Sequence, residues 1–296
     1  MPLASTSDNN PALLALAHRA LPLTNTEDTQ ILSYGQVAST MLVSYDVLLT
    51  LSDEVKYIWR TKPWHLTSVL YLGARYLPCI TELALLSINL NGVTGLERSR
   101  DTCRAWIYVQ GVMLQLIVTV VDAVLLIRVR ALYYDSKKLI AVLVVLFAVE
   151  TVGLCIILGN VEPTISVDTH CFVTDVSVLL PVYWITSLAF ETLLFSLTLL
   201  KFIAAVRAGW GRRPVMKQFV TDGTWAFALI FLTMLVNALL YPLAHTPLAG
   251  ICFTWLLSVL SIAGSRLLLN PRRMLGDGEA SDTVNFELTE FVFAEV

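Results

Sequence analysis

Charge is scarce in this chain. Of its 296 residues only 15% are Asp, Glu, Lys or Arg, and 56% are apolar. Soluble domains carry about 25% charged residues, so an ordinary globular protein is excluded. The net charge of −3 gives no basic excess and no indication of a nucleic-acid partner. Five cysteines are present without a C-x-x-C pair, which argues against a zinc or thioredoxin-type site. G-x-S-x-G, H-E-x-x-H and Walker A motifs are missing. His18, His65, His170 and His245 show no i,i+4 ligand spacing. No catalytic residue, metal ligand or cofactor site is assigned on these grounds, and the chain is read as a non-enzyme. No Asn-x-Ser/Thr acceptor occurs, and Met1 to Asn10 carry no Lys or Arg, so neither N-glycosylation nor a cleavable signal peptide is expected.

Long apolar runs are what the chain has instead. Seven segments run over Ile31–Leu51, Leu66–Leu90, Ala105–Ile127, Leu139–Leu158, Leu179–Val206, Trp225–Leu243 and Leu248–Leu268. A helix needs about 20 apolar residues to span a bilayer, and a barrel strand would alternate over about 10. The expected fold is therefore all-α: a polytopic, seven-transmembrane-helix bundle. Lys and Arg set its orientation. Lys56, Arg60, Lys62, Arg128, Arg130, Lys137, Lys138, Lys201, Arg207, Arg212, Arg213, Lys217, Arg266, Arg272 and Arg273 fall on one side. Arg19, Arg98, Arg100 and Arg104 fall on the other, and Arg75 lies inside a span. The N-terminus is expected outside and the C-terminus in the cytosol. The domain plan is an outer tail (1–30), a membrane domain (31–268) and an acidic cytosolic tail (269–296). The tail reads as disordered, with Val284, Phe286 and Leu288 leaving room for a strand-addition motif.

The first two spans carry unusual polar content. Tyr45-Asp46-x-x-Leu49-Thr50, Glu54-Val55, Trp59, Lys62, Leu70 and Arg75-Tyr76 form a pattern over residues 34–80, with Arg128-Val129-Arg130-Ala131-Leu132-Tyr133 further on. The pattern resembles the N-terminal domain of a fungal family, basidiomycete seven-span membrane proteins carrying a domain of unknown function. The resemblance implies the architecture and no activity.

Three groups of residues are candidates for function. Cys103 and Cys171 both fall on the outer side, where oxidising conditions favour a bridge. Their placement resembles the bridge of rhodopsin-like receptors; two unpaired cysteines are the alternative. Other receptor features depart from that pattern: the third span ends in Leu126-Ile127-Arg128-Val129-Arg130, and the chain has Asn270-Pro271-Arg272-Arg273 after the last span. The basic inner segments with Arg128, Arg130, Arg212 and Arg213 suit a cytosolic protein partner or anionic lipid. Asp46, Glu82, Asp122, Glu150 and Glu191 lie within spans against the single base Arg75. Intramembrane charges are costly and face partners or cavities, so these residues form either a polar site for a small ligand or ion, or interhelical glue. Arg75 cannot shed its proton and needs an anion. Asp46 on the adjacent helix is expected to supply it, with Glu82 as competitor. A receptor-like sensor, a proton- or cation-coupled transporter and a structural protein recruiting partners through its tail all remain open.

Overall fold

A computed structural model describes residues 11–59, 65–93, 99–133, 136–161, 165–167, 173–175, 179–207, 214–243 and 249–278. Seven helices make up almost all of it: α1 (Pro11–Glu54), α2 (Leu66–Val93), α3 (Arg100–Leu132), α4 (Lys137–Val161), α5 (Leu180–Arg207), α6 (Pro214–Leu243) and α7 (Ala249–Gly278). A π-helical turn, Val55–Trp59, extends α1. Between α4 and α5 two short strands, β1 (Ser166–Val167) and β2 (Val173–Asp175), pair antiparallel.

The helices outrun the apolar segments. Helical backbone begins at Pro11, inside the segment expected to be an outer tail. Residues 52–59 of the expected charged hinge are helical. Arg128 and Arg130 lie on the last turns of α3 and not in a loop. α7 continues through Pro271 to Gly278, so Arg272, Arg273 and residues 269–278 of the expected tail are helical. The physical reason is simple. Hydropathy marks where side chains meet lipid, but i→i−4 hydrogen bonding continues past that limit, and Lys, Arg and Glu are good helix formers. Residues 279–296 lie outside the described residues.

Among the described residues, five helices are long and apolar enough to cross a membrane: Leu66–Ser87, Asp101–Leu132, Lys137–Val161, Leu180–Ala204 and Cys252–Arg273. Sequential helices pack as neighbours, and α7 closes the ring against α1 while also touching α2 and α3. Burial follows that arrangement: 67% of the apolar window of α7 is buried against 17% for α4. α7 is central, and α4 is a rim helix whose Val145, Val149, Val152 and Ile156 are exposed.

Small residues let the central helices approach. A Cβ added to Gly264 of α7 would stand 3.3 Å from the Ala74 Cβ of α2 and 3.5 Å from Val121 Cγ2 of α3. One added to Gly73 would meet Val120 Cγ1 at 3.2 Å. Overpacking of this kind costs about 1–3 kcal/mol. Gly264→Val is expected to lower the melting temperature of the detergent-solubilised protein; an unchanged melt would disprove the close approach. This tight contact sets α7 beside Arg75, the residue after Ala74.

Candidate functional site

Three helices carry polar residues at seven-residue spacing. α1 has Ser39, Asp46 and Asp53; α2 has Ser68, Arg75 and Glu82; α7 has Ser258, Ser265 and Arg272. Seven residues make nearly two turns, about 10.5 Å, so each set lies on one helix face. The three faces meet in layers. Ser258 Oγ donates to Glu82 Oε1 at 2.8 Å and lies 3.2 Å from the Ser39 carbonyl. One layer along, Arg75 meets Asp46 and Ser265. In the last, Arg272 meets Ser68 and Arg273 meets Asp53 at 3.2 Å. Ascending numbers in α1 match ascending numbers in α7 and descending ones in α2, so α1 and α7 run parallel and α2 antiparallel.

Arg75 is the centre of this polar seam and is 1% exposed. Its Nη1 stands 3.6 Å from Asp46 Oδ2 and donates to Ser265 Oγ at 3.4 Å. Nη2 donates to the Asp46 carbonyl at 3.1 Å and to Thr50 Oγ1. Nε approaches Glu54 Oε2 at 3.2 Å as an ion-pair contact without hydrogen-bond geometry. Ser261 Oγ of α7 donates to the Arg75 carbonyl at 3.1 Å. Both carboxylates have further donors. Arg266 Nη2 reaches Asp46 Oδ1 at 2.5 Å. Glu54 Oε1 accepts from Tyr76 Oη at 2.8 Å and Trp59 Nε1 at 2.9 Å. Two acids are thus balanced by two bases, and pairing is the condition under which buried charge is tolerated.

Sequence reasoning places Asp46 beside Arg75 but misses Glu54 and Arg266. Hydropathy puts Glu54 in a hinge, yet it is fully buried; its presence in the family pattern is the available signal. Arg266 counts with the cytosolic charges when the chain is read for topology alone. Glu82 is not an ion-pair partner of Arg75 among the described residues; its hydrogen bond comes from the Ser258 hydroxyl.

The other three acids form a separate cluster on the far side of α3. Asp122 of α3, Glu150 of α4 and Glu191 of α5 are all buried. They stand close enough for Asp122 to act electrostatically on Glu150 and Glu191, and for Glu150 to act on Glu191. Asp122 Oδ1, both Glu150 oxygens and both Glu191 oxygens have no hydrogen-bond partner among the described residues. Tyr183 Oη donates to Gln115 Oε1 at 3.1 Å, tying α5 to α3 beside the cluster. Ser187, one turn before Glu191, is fully buried with its hydroxyl unpaired. Thr186, Thr192 and Thr198 on the same helix instead return their hydroxyls to backbone carbonyls four residues back. Among the described residues no three His, Cys, Asp or Glu side chains are placed to hold a metal ion.

The six residues expected within spans therefore divide into two groups, Asp46, Arg75 and Glu82 in the seam and Asp122, Glu150 and Glu191 in the cluster. Cys103 is fully buried in the first turn of α3 and is not among the free cysteines, Cys79, Cys155 and Cys252. Cys171, Arg212 and Arg213 lie outside the described residues. Arg128 is half-buried and Arg130 exposed at the end of α3.

A helical bundle with five helices, among the described residues, fit to cross a membrane, and with charges paired inside it, is compatible with an integral membrane protein. Residues 34–80 match the model of a family of unknown function (DUF6533). No curated protein and no solved structure matches the chain. The matched stretch holds Asp46, Thr50, Glu54, Trp59, Tyr71, Arg75 and Tyr76, the part of the Arg75 network that α1 and α2 supply. The share from α7, Ser261, Ser265 and Arg266, lies beyond it.

Proposed function

We propose that the chain is a seven-span membrane protein, N-terminus outside and C-terminus cytosolic, acting as a receptor-like sensor. The contrast between its two polar groups carries the reading. The seam joining α1, α2 and α7 sets its buried acids Asp46 and Glu54 against guanidinium groups. The α3–α4–α5 cluster leaves five carboxyl oxygens without a partner. Each buried polar group left so costs about 1–3 kcal/mol, and intramembrane acids of this kind mark ligand and ion paths. A protonated amine, with several N–H donors on one cationic head, is the chemistry that satisfies them.

The two further crossings are α1 and α6. α1 falls short in hydropathy because Gln36, Asp46 and several Ser, Thr and Tyr residues interrupt its apolar run, and the Asp46 charge is paired in the seam. α6 is a 30-residue helix in which Thr224–Asn237 is apolar. In this reading 1–30 is the outer segment, 31–268 the membrane domain and 269–296 the cytosolic end. The chain is a member of the fungal seven-span family, and Arg128, Arg130, Arg212 and Arg213 face a cytosolic protein partner.

The outer face is held by a Cys103–Cys171 disulfide, which the burial of Cys103 and its absence from the free cysteines support. Closing a loop of that length contributes about 3–5 kcal/mol in the chain-entropy model. Non-reducing peptide mapping is expected to recover the joined peptides; free thiols at both positions in surface-isolated protein would refute the bridge.

Acid excess equally suits a proton- or cation-coupled transporter, and one experiment separates the two. Purified protein is screened against a panel of primary and secondary amines by thermal shift, alongside Glu191→Gln. An amine that stabilises wild type alone, and promotes recruitment of a cytosolic protein in cells, supports the sensor. Amine or proton flux into proteoliposomes that Glu191→Gln abolishes moves the assignment to transport. Absence of both results removes the cluster as a ligand site.

A further inference from the structure

At the end of the bundle where α1 joins α2, a buried base has no acid among the described residues. Asp46 is shared by Arg75 and Arg266, Glu54 is held by Arg75, and Asp53 by Arg273. Arg272 remains. It is 8% exposed, and among the described residues no carboxylate pairs with it. Its contacts are neutral hydroxyls: Nη1 donates to Ser68 Oγ at 3.2 Å and Nη2 to Thr67 Oγ1 at 2.5 Å. The tyrosine ring of Tyr71 is the other titratable group that acts on it.

Thr67 and Ser68 sit in the first turn of α2. A helix start carries about half a positive charge, so a buried guanidinium placed there, bonded to neutral groups, is poorly compensated. The same atoms are well arranged for an anion. Thr67 and Ser68 accept from Arg272 through their oxygens, and neither hydroxyl proton is donated to a protein group among the described residues. The N–H groups of Ser68 and Val69 turn back to the His65 carbonyl. Those of Leu66 and Thr67 point out of the helix end, as the first N–H groups of any helix do. His65 and Leu66 are exposed, which leaves the turn open from outside.

We propose that Arg272, Thr67, Ser68 and the first turn of α2 form a binding site for a phosphate-bearing anion. A guanidinium fork with hydroxyl and helix N-terminal donors is the donor set that phosphate oxygens take. Two sources supply that chemistry, a lipid headgroup and free phosphate. Position favours the headgroup: Arg272 and Thr67 each lie at the end of a membrane-crossing stretch, Cys252–Arg273 and Leu66–Ser87. The site is independent of the carboxyl cluster and of the sensor reading.

The test is thermal unfolding of the full-length protein in neutral detergent. The probes are phosphatidic acid, inorganic phosphate and, as control, phosphatidylcholine. Wild type is expected to be stabilised by phosphatidic acid and not by phosphatidylcholine. Arg272→Gln is expected to bind roughly tenfold or more weakly, the loss of a charged hydrogen-bond donor. Arg273→Gln removes the same charge from an exposed neighbour and is expected to keep the shift. Equal stabilisation by inorganic phosphate, lost in Arg272→Gln, supports the site with free phosphate as its ligand. If Arg272→Gln does not fold, the Thr67→Val/Ser68→Ala double variant takes its place with the same expected loss. No stabilisation by either anion, or a full shift in Arg272→Gln or the double variant, overturns the site.

Discussion

Arg75→Gln is expected to remove most of the folded protein. The substitution leaves Asp46 and Glu54 facing each other's charge in a buried layer, and breaking one such buried pair costs about 3–5 kcal/mol. Whole-domain stabilities are about 5–15 kcal/mol, so a loss of that size is a large share of the total. Arg75→Lys is expected to rescue little. The guanidinium engages Glu54, Asp46 and Ser265 on three sides at once, whereas an ammonium is a point charge. Asp46→Asn and Glu54→Gln should each cost less. Arg266 is half exposed and can turn to solvent when Asp46 is lost. In Glu54→Gln the new amide oxygen can still accept from Tyr76 and Trp59, two of the donors that Glu54 has now, with Tyr71 at 3.5 Å as another. Glu82→Gln should cost least, because its hydrogen bond from Ser258 survives. Fluorescence-detected size exclusion and melting temperature read this order. The Asp46→Asn/Arg75→Gln double variant should be more stable than the sum of its singles predicts. Additive behaviour, or an Arg75→Gln melt equal to wild type, would show that the network does not hold the bundle together.

The cluster should behave with the opposite sign. Glu191→Met is expected to raise the melting temperature, since it replaces a buried carboxyl that has no hydrogen-bond partner on either oxygen by an apolar side chain of similar length. Relief of an unsatisfied buried group is worth about 1–3 kcal/mol, and adaptable Met fills irregular space. In the sensor reading the same variant loses amine stabilisation, so stability and response move apart. A merely structural carboxyl predicts the reverse: a lower melt in Glu191→Met. Asp122→Asn keeps a polar group beside Glu150 while removing its charge, and should raise stability less than Glu191→Met does.

Some of this is legible in the linear chain. Counting depth from Leu51 and Leu66 brings Asp46 near the level of Arg75, because helix rise is constant and short connections force neighbouring helices together. The seven-residue recurrence of Ser39/Asp46/Asp53, Ser68/Arg75/Glu82 and Ser258/Ser265/Arg272 is also written in the sequence. Its chemistry hides it, since each set mixes serine with charged residues and no single-type pattern marks it. Glu54 and Arg272 are misjudged for one shared reason. Hydropathy ends a span where apolar residues end, while the backbone hydrogen-bond ladder carries the helix on and draws those side chains into the bundle.

By itself, then, the sequence determined that the chain is helical and apolar enough for a bilayer, and which side chains are too polar to sit in lipid alone. Which of those polar groups meet was decided only by the tertiary packing. Asp46 and Glu191 look alike in the sequence, each an acid within an apolar segment. The close contact of Gly264 with Ala74 brings α7 against α2, so that Asp46 finds two guanidinium groups. Glu191 faces α3 and α4, which bring only Asp122 and Glu150. A single helix fixes the face on which a charge lies, by its 3.6-residue period, but the energy of a buried charge depends on what the neighbouring helix presents to that face.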